Sequence, residues 1–315
     1  MNIDRLKSTL GCYAVILPAA VLLLTFVYLP VVWAFSKSLY AFEVGSPSRF
    51  VGLGHYVEYL TADPTWGPSM MNMLLLTLFA VCVRLTCPLI VAKLIHSLPG
   101  ARARHLYRIV FLIPIVVPGV AVQLIWVSLI YSDPGLINET LRGLGLDHWT
   151  RGWLADPDTA LVCIMMMGFP FVGGFEVLVY YAGLAAIPNS VNESAALEGC
   201  RGVRKLFESA RIDGAGHLGL YLKIIVPLSK PVFAVVIIMS VIGTWNNFLW
   251  PFITNTDGTH HVIASGLFVL ATSQHASNFS TMYAAYAISS IPLLILFIYA
   301  TRPFVEGMTK GALKA

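Results

Sequence analysis

Six stretches of this 315-residue chain stay apolar for about twenty residues, the length that crosses the hydrocarbon core of a bilayer. They fall near 13–36, 71–95, 107–131, 160–184, 231–253 and 282–302. None shows the period-two alternation of a barrel strand, so each is predicted to be a helix that satisfies its own backbone. Charged residues make up only 11% of the chain, against about 25% in soluble domains. The fold class is therefore an all-α membrane protein with six transmembrane helices, as one transmembrane domain over residues 1–315.

The distribution of cations sets an expected orientation. With the N-terminus inside, the cytoplasmic set is Arg5, Lys7, Lys93, Arg102, Arg104, Arg108, Arg201, Arg204, Lys205, Arg211, Lys223, Lys230, Arg302, Lys310 and Lys314. The outer set is only Lys37, Arg49, Arg142 and Arg151. Both termini are expected in the cytoplasm. The first apolar run is too long for the core of a signal peptide and has no small-x-small cleavage site, so it reads as a retained anchor. The five cysteines lie in apolar spans or in the basic loop, which argues against an extracellular disulfide framework. The outer stretches 37–70 and 132–159 carry turn signals such as Asp133-Pro134-Gly135. They read either as plain connections or as rests for an extracytoplasmic partner.

Polar residues inside the spans are the candidates for function. Arg84 and Glu176 are the two deep charges, and a charge at mid-membrane is costly enough to need a partner or a watery path. They read either as lining a solute pathway or as a structural ion pair. Gly243-Thr244-Trp245-Asn246-Asn247-Phe248 places adjacent amides in the fifth span. About 100° apart around a helix, one amide can face a cavity while the other bonds a helix. Amides beside indoles suit a sugar, with its hydroxyls and its C–H face, but they equally suit interhelical contacts. Pro88, Pro114 with Pro118, Pro170, Gly173 with Gly174, and Pro292 are expected to kink or interrupt their helices.

Catalytic constellations are missing from the sequence. It has no phosphate-binding G-x-x-x-x-G-K-[ST] loop, no H-E-x-x-H, no C-x-x-C and no G-x-S-x-G. His260-His261 reads as a solvated pair, so no catalytic or metal residues are assigned. Any active transport must draw on an ion gradient or on a separate ATPase.

The longest hydrophilic run, 187–230, contains a near-copy of itself. Glu193-Ser-Ala-Ala-Leu-Glu-Gly-Cys200 returns as Glu208-Ser209-Ala210-Arg-Ile-Asp213-Gly214-Ala215. The second copy, followed by Ile225-Val-Pro227, resembles the E-A-A-x-x-D-G-A … I-x-L-P signature of binding-protein-dependent ABC importer permeases, with Ser209 for Ala and Val226 for Leu. Phe50-Val-Gly-Leu-Gly-His-Tyr56 and Ala182-Gly-Leu-Ala-Ala-Ile-Pro188 extend the resemblance to the carbohydrate permeases of maltose and glycerol-phosphate type. Asn246-Asn-Phe-Leu-Trp-Pro251 and the tail Phe304–Ala312 look more like the other subunit of the permease pair, which leaves open the role this chain fills.

The resemblance implies a type I ABC importer permease fold in a bacterial or archaeal cytoplasmic (inner) membrane. It implies a second permease subunit (heterodimer or homodimer), two ATPase subunits holding ATP and Mg, and an extracytoplasmic solute-binding protein. The chain itself would be no enzyme, bind no cofactor and contact lipid but no nucleic acid. The segment 187–230 would couple to the ATPase through Glu208, Ser209, Ala210, Asp213, Gly214 and Ala215, and the tail near Gly307–Lys310 would reach between the ATPases. Sugar contacts would fall at Phe171, Val172, Phe175 and Glu176 and at Thr244 and Asn247. Asn246 and Arg84 are added as pathway candidates from the residues themselves. The amides and aromatics favour a neutral saccharide, while Arg84 leaves room for an acidic or phosphorylated one. The alternative is an ion-coupled secondary transporter with Glu176 as the ion or proton site.

Overall fold

A computed structural model describes residues 3–42, 48–169, 173–185, 230–254, 261–272 and 279–312. The candidate coupling segment with its two half-signatures, at 187–229, and Pro170, Phe171 and Val172 lie outside the described residues. The chain divides into two compact units, residues 1–67 with 266–291, and residues 68–265 with 292–315.

In the first unit, α1 (Ile3–Leu23) and α2 (Leu29–Ser38) continue into one another through a π-helical turn at Leu24–Tyr28. Together they give the apolar span Tyr13–Ser38, and among the described residues none of its most apolar window is buried. A helix that is apolar all round yet unburied by protein is a membrane helix. Beyond it, strands β1 (Tyr40–Ala41) and β2 (Arg49–Phe50) pair antiparallel, with Tyr40 opposite Phe50. The helix α3 (Gly54–Ala62) follows. Ser38, fully buried, shares a 2.7 Å hydrogen bond with Tyr56. The Thr281 hydroxyl lies 3.3 Å from both His55 Nδ1 and Glu58 Oε2.

The second unit is built on α4 (Trp66–Ser97), a single 32-residue helix. Its cytoplasmic half by expectation packs Leu89, Ala92 and Ile95 against Val177 and Tyr180 of α9 (Gly174–Ala185) and Phe233 and Val236 of α10 (Lys230–Trp245). Small residues permit the close approach that membrane helices use in place of a hydrophobic drive. At Gly174 an added Cβ would stand 2.3 Å from the carbonyl oxygen of Phe111, so α9 rests directly on the backbone of α5 (Ala101–Val116).

Three of the expected continuous spans are interrupted. The window 107–131 is α5 followed by α6 (Gly119–Ile125) and a π segment to Ile130, with an 85° bend at the break. Val117 is extended because the following Pro118 disfavours helical backbone before it and removes a donor. The window 160–184 is α8 (Pro157–Met166) and α9, separated by a stretch with Gly168 at φ +76° and Gly173 at φ +99°. The window 231–253 is α10 and α11 (Leu249–Thr254), parted at Asn246–Phe248. By contrast Pro88 and Pro292 stand inside unbroken helices, α4 and α13 (Phe279–Ala312), the latter preceded by α12 (Ile263–Thr272). Among the described residues, three helices are individually long and apolar enough to cross a membrane, and a fourth crossing is counted if the bent pair is one span.

Between Tyr131 and Cys163 the connection is organised by Asn138, on α7 (Leu136–Gly143), which is fully buried. Its amide donates to the carbonyls of Asp133 (3.2 Å) and Arg151 (2.9 Å) and accepts from the Trp153 indole at 2.8 Å.

Candidate functional site

The three interruptions of the second unit converge on one cavity of about 570 Å³, a size usual for small-molecule sites. Irregular backbone is tolerated at membrane depth only where protein or a watery cavity covers it, so this convergence has a physical reason. α4 contributes Leu76, Phe79, Ala80, Val83 and Arg84, the spacing of a single helix face. The α5–α6 break contributes Pro114, Ile115, Val117 and Gly119, and the following turns add Gln123 and Trp126. From the α8–α9 break come Met167, Gly168, Phe169 and Gly173. Thr244, Asn247 and Pro251 close the wall from the α10–α11 break.

The Arg84 guanidinium stands in the wall with its Nη1 3.6 Å from Glu176 Oε1, and the two side chains are 30% and 10% exposed. Gly173 makes the room, while a methyl at Gly243 would only touch the guanidinium. At Gly173 a Cβ would come within 2.7 Å of Glu176 Oε2, and at Gly243 it would lie 3.6 Å from Arg84 Nη1. Glu176 itself does not line the cavity; it backs the residue that does. The neighbouring amides divide. Asn247 lines the cavity, whereas the Asn246 amide donates to the Ile242 carbonyl at 2.9 Å on its own helix. Thr244 lines the cavity, and Phe175, 48% exposed, points elsewhere.

Gln123 is a site residue that the sequence reading passed over. Its Oε1 is buried with no hydrogen-bond partner among the described residues, an acceptor that costs free energy unless something donates to it. A lone amide within the apolar window 107–131 was the available signal. Phe79, Trp126 and Phe169 add aromatic surface. Among the described residues no group of His, Cys, Asp and Glu is arranged to hold a metal ion. What the arrangement offers chemically is hydrogen bonding and ring stacking around a space, with no nucleophile–base pair.

Apolar helices interrupted around a polar-lined cavity define the class: a multi-pass membrane transport protein. The comparisons show what the chain is similar to. Residues 203–310 match the model of the binding-protein-dependent transport system inner membrane component. The chain is 29% identical over 287 residues to the probable ABC transporter permease protein YurN of Bacillus subtilis, covering 91% of each chain. It is 26% identical over 291 residues to the lactose transport system permease protein LacF of Rhizobium radiobacter, covering 92% of this chain and 90% of that one. Among solved structures it resembles a chain of a bacterial ABC transporter involved in the import of the acidic polysaccharide alginate, with TM-score 0.71, 20% identity, and coverage of 95% and 96%. The chain is similar to ABC importer permeases, and these matches support a transport subunit rather than an enzyme. The ion-coupled alternative is not supported.

Proposed function

We propose that this permease passes a saccharide through the cavity walled by Arg84, Gln123, Thr244 and Asn247. The observation that carries the reading is the meeting of three helix breaks around a polar-lined space of about 570 Å³. Hydrogen-bonding side chains suit hydroxyls, and the faces of Phe79, Trp126 and Phe169 suit the C–H surface of a pyranose. The lactose permease among the relatives supports the same substrate class.

In this reading six crossings place both termini in the cytoplasm of a bacterial or archaeal inner membrane. A second permease subunit completes the pathway, and an extracytoplasmic binding protein delivers the solute. Two ATPase subunits holding ATP and Mg dock on the segment 187–230, with Glu208, Ser209, Ala210, Asp213, Gly214 and Ala215 of the second half-signature as contacts. A rigid lever of this kind converts ATPase closure into a rotation of packed helices. Phe171 and Val172 remain pathway candidates through the resemblance alone.

The test is saccharide uptake by the full importer in proteoliposomes with ATP inside. Asn247→Leu and Gln123→Leu are each expected to lower uptake about tenfold, the loss of roughly one good hydrogen bond, with ATP hydrolysis by the assembled complex retained. Undiminished uptake in both variants would reject the cavity as the passage.

A further inference from the structure

We infer that the cavity selects an uncharged saccharide, because its charged lining group is already neutralised from behind. This rests on reading the cavity as the saccharide passage. Among the described residues lining the cavity, Arg84 is the only ionisable side chain. Glu176, 3.6 Å from its Nη1, stays out of the cavity with a side chain only 10% exposed. Gly173 leaves room for that carboxylate, since a Cβ at its φ of +99° would come within 2.7 Å of Oε2.

The guanidinium has five N–H donors, and one carboxylate beside it uses a fraction of them. The group therefore offers donors to the cavity while its charge is balanced. A sugar hydroxyl takes such a donor at little desolvation cost. An anionic sugar must give up its hydration and share Arg84 with Glu176, a like charge behind the same cation, so attraction and repulsion largely cancel. The other polar lining groups, Gln123, Thr244 and Asn247, are uncharged. Gln123 adds a second discriminator. Its buried Oε1 lacks a donor among the described residues; a hydroxyl supplies one, and an ionised carboxylate cannot.

The experiment uses the assembled importer in nanodiscs without its binding protein, so that the selectivity of that protein does not enter. Binding of a neutral trisaccharide and of the same trisaccharide carrying one terminal uronate is measured by equilibrium dialysis at low salt. The neutral sugar is expected to bind at least tenfold tighter. Glu176→Gln, which frees the guanidinium charge, is expected to move the ratio at least tenfold toward the uronate. A wild-type preference for the uronate overturns the inference, as does an unmoved ratio in a folded Glu176→Gln complex. Should that variant fail to assemble, the wild-type ratio decides by itself. If neither sugar binds to a complex that hydrolyses ATP, the saccharide reading falls, and this inference with it.

Discussion

Arg84 Nη1 and Glu176 Oε1 lie 3.6 Å apart, joining α4 to α9 beside the α8–α9 break. The pair is half open: Arg84 reaches the cavity and Glu176 does not. Removing one partner strands the other charge in the protein interior. Arg84→Ala or Glu176→Ala is expected to destabilise the permease by about 1–3 kcal/mol, less than the ~3–5 kcal/mol seen when a fully buried pair is broken. The double variant should cost less than the sum of the singles. Thermal unfolding of the four proteins in one detergent measures this; additive losses would mean the two residues do not interact.

Gly174 allows α9 to touch the backbone of α5. A Cβ there would meet the Phe111 carbonyl oxygen at 2.3 Å, with Ile115 a further obstruction at 3.3 Å. Backbone cannot yield as a side-chain tip can, so Gly174→Ala is expected to cost at least the ~1–3 kcal/mol of ordinary overpacking. Gly119→Ala, with nothing within 4 Å of the new methyl, is the control and should unfold at the wild-type temperature.

The 131–159 connection depends on Asn138. Asn138→Ala removes the hydrogen bonds to the Trp153 indole and the Arg151 carbonyl, at about 0.5–1.5 kcal/mol for each bond lost. Limited proteolysis should then cut between residues 132 and 156 at least tenfold faster. Arg142→Ala, which breaks exposed ion pairs with Asp133 and Glu139, is expected to leave the rate unchanged.

The two half-signatures make different predictions. If the second copy docks the ATPase, Gly214→Asp puts a charged side chain where close backbone approach is needed and should abolish solute-stimulated ATP hydrolysis. Gly199→Asp should retain most of it. The opposite ranking would assign docking to the first copy.

Apolar length is a direct demand of the bilayer, so the long helices Tyr13–Ser38, Trp66–Ser97 and Phe279–Thr301 were legible at the windows near 13–36, 71–95 and 282–302. The breaks were half legible. Pro114 with Pro118, and Gly173 with Gly174, are each paired, and both pairs mark interruptions. The single prolines Pro88 and Pro292 each remove one donor from a long helix that stays whole. Which residues meet was not legible, since convergence of three breaks is a property of packing between helices. Thus Arg84 and Glu176 stood out as deep charges, but either a lining role or a pair was consistent with the sequence; the structure makes Arg84 both. Phe175, carried over by resemblance, is exposed away from the cavity, while Gln123 went unnoticed although it is an amide in an apolar window.

The N-terminal helix carries a consequence for how the protein is made. The most apolar window of Tyr13–Ser38 is unburied by the other described residues, so its free energy comes from acyl chains and from whatever else lies beside it. Entry into the bilayer and consolidation of the helix bundle are then separable events. Polar substitutions along that window should first lower the fraction of newly made chains that insert, and leave the cohesion of the chains that succeed almost untouched.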